Sequence, residues 1–434
     1  MLNFSKFYHL SNELQSLVLN YCKPRDISRL SQTSRQMYEC TVPILYRHVD
    51  ISCHRTTSDD LVDFRGFLFI SPQHENNVRR QNAFIETILG LPSLGDFVSS
   101  LTWTIYPRQG TRRNQFVDHK RMWEAWKLLI KIRRLDLHSL AGDWRDFVYF
   151  SAPIDHQCLS IPSAIITPAV FPEATSIRIG GLMPYNYFRA CVSTPSIIAS
   201  LEMENLQGLR QPRDGCHLFV HLVLPWNMDD DFCGDHTRYE ENDDENGTPV
   251  LRHGDPMSGH LQPLCGKFVQ LKHLKISTVG HEFCRDVRWS ETREKKRYSE
   301  IAKFIKSVAP TLITFDFEQG AALESIEGWQ MEPYTSILTQ SRRPMDDYFS
   351  EFILPALLGG TWSQLRRLSI RGVCENFRIE TRRWVENVDL TPEVPDIIES
   401  AMHQLRLAMS NSVEFTLERE ARRLFRMASL NVYR

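Results

Sequence analysis

A chain of 434 residues is long enough for one large domain beside a small one, and its 42% hydrophobic content is ample for a packed core. With 51 basic against 53 acidic side chains the net charge is only -2, so no global field draws nucleic acid or anionic lipid, and neither nucleic acid nor membrane is expected as a partner. The 10 cysteines are scattered without a Cys-x-x-Cys pair, no apolar run reaches the eighteen or so residues that cross a bilayer, and no basic stretch leads into an apolar one at the start; cytoplasm, nucleus or both is the expected location.

The first element is a helix beyond Leu10. Leu14, Leu17, Val18 and Tyr21 fall at i, i+3, i+4 and i+7, one stripe of a 3.6-residue helix, and Ser11 or Asn12 is placed to cap it. A second helix opens at Pro24, where the missing backbone donor costs little, with Asp26 near the positive end of the dipole and Ile27 and Leu30 on its apolar side. A third segment, residues 35–41, leads to Pro43 and on to Leu45-Tyr46-Arg47-His48-Val49-Asp50-Ile51. Three short helices with so few apolar residues make a poor core alone, so a partner is expected to cover the remaining apolar face. An ordinary helical hairpin packed on the following domain is the alternative.

Leu10, Glu13, Leu14, Pro24, Asp26 and Leu30 match a pattern that reads Leu-Pro-x-Glu-Leu, then Pro-x-Asp-Leu and Leu, with Ser11 in place of the first proline and Cys22 in place of a common leucine. This stretch resembles an F-box, and residues 45–51 are similar to the exit of filamentous-fungal F-box proteins. The resemblance covers about a tenth of the chain. It implies a Skp adaptor and a cullin as partners, with Leu10, Glu13, Leu14, Leu17, Pro24, Asp26, Ile27 and Leu30 as the adaptor-binding residues.

On this reading residues 5–50 form the small all-α module, 51–95 are linking helices, and 96–434 form a second domain. In that domain a short pattern recurs: apolar, two mostly polar residues, apolar, polar, apolar. It spans 98–103, 132–137, 175–179, 198–203, 219–224, 271–276, 312–317 and 365–370. A strand turns alternate residues to one face, so the last two apolar positions of each copy point together into a core. Helix-compatible segments lie between, at 119–129 and 298–305, and alternation of strand and helix predicts parallel crossover units. The copies look like the strand core of leucine-rich repeats. Their irregular spacing, against about 20 to 29 residues in regular arrays, implies an irregular leucine-rich-repeat-like α/β solenoid with insertions. An ordinary α/β sandwich is the alternative.

Residues 226–262 are read as an acidic insertion: Asp229, Asp230, Asp231, Asp235, Glu240, Glu241, Asp243, Asp244 and Glu245 precede a run rich in glycine and proline. It is either a solvated spacer or a lure for a basic segment. Trp226, Asp229, Asp230, Asp231 and Trp329 are the candidate substrate contacts, tryptophan being enriched at interface hot spots. Cys233 and His236 lack the paired spacing of a zinc site, and no metal or cofactor is expected. The basic run Arg293-Glu294-Lys295-Lys296-Arg297 reads as the exposed first turn of a helix.

No nucleophile elbow, His-Glu-x-x-His, phosphate loop or dinucleotide fingerprint is present in the sequence, and the chain is read as a non-enzyme. A hydrolase assembled in space from Cys216, His217, His281 or Cys284 is a distant alternative. A closing cap ends the pattern, with Ile397, Ile398, Ala401 and Leu405 on one helical face and alternation through 413–417. The function implied by the resemblance is substrate recognition in a Skp/cullin/F-box ubiquitin ligase, with a protein substrate held by the second domain. The alternative is a non-catalytic repeat scaffold, or an adaptor-binding protein acting outside ubiquitination.

Overall fold

The computed structural model describes residue 7 and residues 9–53, 72–105, 117–139, 170–209, 261–278, 291–319, 345–373, 397–409 and 412–418. The protein is mixed α/β, and its described strands form one nine-stranded sheet. The strands are β1 (His48–Ile51), β2 (Ser100–Ile105), β3 (Arg134–Ser139), β4 (Ser176–Pro184), β5 (Ser200–Leu209), β6 (His273–Ser277), β7 (Thr314–Glu318), β8 (Arg367–Arg371) and β9 (Glu414–Glu418). Their order across the sheet is their order in the chain, and every neighbouring pair is parallel. Each connection therefore crosses over and returns to lay the next strand beside the last.

Register follows from the repeated apolar positions. One core column runs Val49, Leu101, Leu135, Ile177, Leu201, Leu274, Phe315, Leu368 and Phe415; the next runs Ile51, Trp103, Leu137, Ile179, Met203, Ile276, Phe317, Ile370 and Leu417. A slip of one residue anywhere would turn both columns to solvent, which is why nine strands of different sequence keep one alignment. A second device reinforces it at the strand starts. The carbonyl of Ser99 accepts from Arg133 N (2.9 Å) and Arg134 N (3.1 Å), that of Arg133 from Thr175 N and Ser176 N (3.0 Å each), and the carbonyls of Thr175, Ala199, Lys272 and Ile313 repeat the bond pair on the next strand.

Seven of the eight recurrent patterns coincide with strands β2 to β8; the copy at 219–224 lies outside the described residues. The alternating residues of the expected cap form β9. β1 carries the same apolar-polar-apolar order, Val49-Asp50-Ile51, inside the segment read as the exit of the N-terminal module.

Helices cover the apolar side. In α1 (Asn12–Asn20), α2 (Pro24–Ser31) and α3 (Arg35–Arg47) the caps are as the sequence demands: Ser11 Oγ accepts from Leu14 N, Pro24 opens α2, and Ser34 Oγ accepts from Met37 N at 3.1 Å. α3 runs through Pro43 to Arg47 instead of stopping there. Then come α4 (Pro72–Gly90), α5 (His119–Lys127), α6 (Tyr185–Cys191), α7 (Glu291–Val308), α8 (Met345–Tyr348), α9 (Leu354–Leu358) and α10 (Ile397–Ala408), with one wide π turn, Phe349–Ile353, joining α8 to α9.

α5 drives Met122, Trp123, Ala125 and Trp126 into the core, where Trp126 meets Trp103 edge-on at 5.8 Å and Phe171 at 5.5 Å. From α7 come Tyr298, Ile301, Ile305 and Val308, at helical spacing. The basic run opening α7 is not wholly exposed: Arg297 is buried, its guanidinium 5.0 Å from the Tyr298 ring centroid. The aromatic face offers a cation a favourable seat.

Candidate functional site

The N-terminal helices present one surface. α1 and α2 both pack on α3, and Leu19, Ile27 and Met37 are buried among them. The side of α1 that looks inward is Leu19 with Gln15, whose Nε2 donates to Leu10 O at 2.9 Å and whose Oε1 accepts from Cys40 Sγ at 3.4 Å. The apolar stripe looks outward: Leu14, Leu17, Val18 and Tyr21 are 49%, 52%, 46% and 86% exposed, and Tyr38 of α3 is 45% exposed. An amphipathic helix normally turns its stripe to its own core; here a helix of nine residues turns it to water.

The other expected adaptor-binding residues are distributed around that stripe. Glu13, Pro24 and Asp26 are exposed, Leu10 and Leu30 are half-buried, and Ile27 is buried at 5%, supporting the surface from beneath. The Ser11 hydroxyl beside Glu13 holds its carboxyl below the usual glutamate range. Trp226, Asp229, Asp230, Asp231 and Trp329 lie outside the described residues, as do Cys216, His217, Cys233, His236, His281 and Cys284.

This helical unit is fastened to the sheet without a linker, since α3 ends at Arg47 and β1 begins at His48. Arg47 O accepts both Ser99 N at 3.0 Å and Ser99 Oγ at 2.9 Å, tying the junction to the start of β2. At the other end of the strands α4 supplies a buried bracket. Gln81 Nε2 donates to Ile51 O (2.9 Å) and Thr104 O (2.8 Å), and Arg80 donates to Asp50 O at 3.0 Å. The two Gln81 bonds are buried and satisfy carbonyls at and beyond the last β1–β2 pair, Ile51 with Trp103, whereas the Arg80 bond is exposed.

The second surface is the face of the sheet opposite the core. Between the two core columns lies a polar one: Asp50, Thr102, Asp136, Arg178, Glu202, Lys275, Asp316, Ser369 and Thr416. From Asp136 to Lys275 its charges are paired across strands. Arg178 reaches Asp136 at 3.6 Å and Glu202 at 3.8 Å, and its Nε donates to Glu204 Oε2 at 2.9 Å; Lys275 pairs with Glu204 from the other side. Farther along, Arg367 meets Asp316 at 3.5 Å and Arg371 pairs with Glu418. Burial alone would push the Glu204 carboxyl up, but Lys275 and Arg178 outweigh it and hold the group below the ordinary glutamate value.

Burial pushes the Cys191 thiol far up, and Cys265 is raised for the same reason, so neither is a ready thiolate. Among the described residues no group of three or more His, Cys, Asp or Glu could hold a metal ion, and no helix is long and apolar enough to cross a membrane.

No family model matches the chain, and no curated protein matches it significantly.

Proposed function

We propose that the chain is a substrate receptor of a Skp/cullin/F-box ubiquitin ligase, with residues 5–50 as the F-box. The observation that carries this reading is the outward stripe Leu14, Leu17, Val18, Tyr21 on a small unit whose own interior is served by Leu19, Ile27 and Met37. Such a surface is stable in water only at a cost of order 1.5–3 kcal/mol per large apolar side chain left unburied, and a docked adaptor would remove that cost. Nine parallel strands in chain order, with matched apolar columns, support a degenerate leucine-rich-repeat-like solenoid as the substrate-holding part. Direct continuation of α3 into β1 would then pass the adaptor's position to the sheet without slack. Ubiquitin transfer is assigned to the cullin's partners, and no residue of this chain is given a catalytic role.

Co-expression with the Skp adaptor of the source organism, followed by size exclusion, tests the reading. A one-to-one complex is expected, lost in the Leu14→Ala, Leu17→Ala double variant while its melting temperature stays within the range of a surface change, about 0.5 kcal/mol. No complex with the unaltered chain, or equal binding by the variant, refutes it.

A further inference from the structure

The start of each strand carries an ordered charge pattern that the proposed adaptor docking does not use. The residue before the strand and its first residue are Arg47 and His48 at β1, Arg133 and Arg134 at β3, Lys272 and His273 at β6, and Arg366 and Arg367 at β8, all eight exposed. The intervening strands begin with small or hydroxyl-bearing residues, Ser99-Ser100, Thr175-Ser176, Ala199-Ser200 and Ile313-Thr314, of which Ile313 is the one bulky apolar exception. Through β8 no strand begins with an acid; Glu414 at β9 is the first.

Pairing separates this rim from the rest of the sheet. Arg178 and Lys275 in mid-face are neutralised by Asp136, Glu202 and Glu204. Arg47, Arg133, Arg134, Lys272 and Arg366 have no acidic partner among the described residues, and only Arg367 reaches one, Asp316 at 3.5 Å. Glu173, in the turn before β4, is taken by Lys131 at 2.8 Å. Unneutralised charge is felt locally: after burial, Arg134 and Arg47 are what hold the His48 imidazole below its ordinary value. Leaving five cations open along one edge of a sheet whose mid-face cations are paired is what a site for an anionic ligand requires.

We infer that this N-terminal edge of the sheet is a docking rim for an extended acidic peptide segment. Because it names the substrate class, the inference rests on the receptor reading above. Spacing defines the ligand. At about 4.8 Å per strand the cationic starts lie roughly 10, 14 and 10 Å apart, about 34 Å in all, which an extended chain covers in about ten residues with an acid every third or fourth. Single-stranded nucleic acid is the less suitable occupant. Its charges are denser than these clusters, and it is usually held by aromatic platforms, which the strand starts lack.

The test is fluorescence anisotropy on the full chain with a labelled acidic peptide of about ten residues carrying glutamate at every third position. A glutamine-substituted peptide and an oligothymidylate of similar length serve as controls. The variant is Arg133→Ser, Arg134→Ser, Lys272→Ser, Arg366→Ser; serine already stands at the start of β2, β4 and β5, so the backbone is asked for nothing new. Binding of the acidic peptide that weakens with salt and falls about tenfold or more in the variant, with adaptor co-elution intact, is expected. Equal binding of the glutamine peptide, affinity unchanged in the variant, or tighter binding of the oligothymidylate overturns the inference. A chain that never binds the adaptor yet holds the acidic peptide through these residues would sink the receptor reading and keep the rim.

Discussion

At the scale of single residues the sheet's polar face is set by close fits. A methyl group on Gly180 would lie 2.6 Å from His138 Nδ1 and 2.8 Å from the Glu204 carbonyl oxygen, so glycine stands where neighbouring strands leave no room for a side chain. Gly180→Ala is expected to lower stability by about 1–3 kcal/mol, read as a shifted denaturation midpoint; an unchanged midpoint would mean that β3 and β5 part at little cost. Glu204 ties stability to pH. Its carboxyl is depressed below the unfolded value near 4.5, so the stabilisation is complete above that value and is lost as pH falls through the folded one. Glu204→Gln should therefore be less stable than the unaltered chain near neutral pH and approach it in denaturant titrations as pH falls through the depressed folded value of the carboxyl. A difference that persists in acid would exclude the carboxylate charge as its source. None of this was legible in the sequence. Phe171, in the left-handed region at a φ of 58° with its ring against Trp126, was equally hidden, since tertiary packing alone selects that conformation.

Among the elements, the sequence was most informative where periodicity is dictated by a core. Strands β2 to β8 fall on the recurrent apolar-polar-apolar patterns, because each strand must bury the same two positions to stack. β1 was absorbed into the expected module exit, its four residues being too few to announce a strand beside a preceding helix. For α1 the spacing gave the stripe but not its direction. Periodicity reports that apolar residues share a face, and says nothing about whether that face meets the chain's own core or a partner's. The contrast can be measured. Leu368→Ala, in a fully buried core column, is expected to cost about 2–5 kcal/mol and a corresponding drop in melting temperature. A small loss there would show that the column closes over the cavity. Ile27, which the motif groups with surface positions, is buried because the second turn of α2 faces α3.

At the scale of the whole molecule, the order of the described strands in the sheet equals their order in the chain, so each pairs only with its chain neighbours. That architecture tolerates long excursions between strands. Residues 210–272 separate β5 from β6, yet the two strands pair directly, and Glu300 of α7 secures the return by accepting from Leu261 N at 2.6 Å and Gln262 N at 2.7 Å. The acidic insertion was legible as composition, but its surroundings are not fixed by any pattern in the chain.

The one-way stacking also makes the protein a graduated ruler. Eight equal steps of about 4.8 Å separate β1, continuous with the N-terminal helices, from β9. Gain or loss of a complete layer would move everything beyond it by one graduation without disturbing the register of the rest, so the distance between the two ends is quantised.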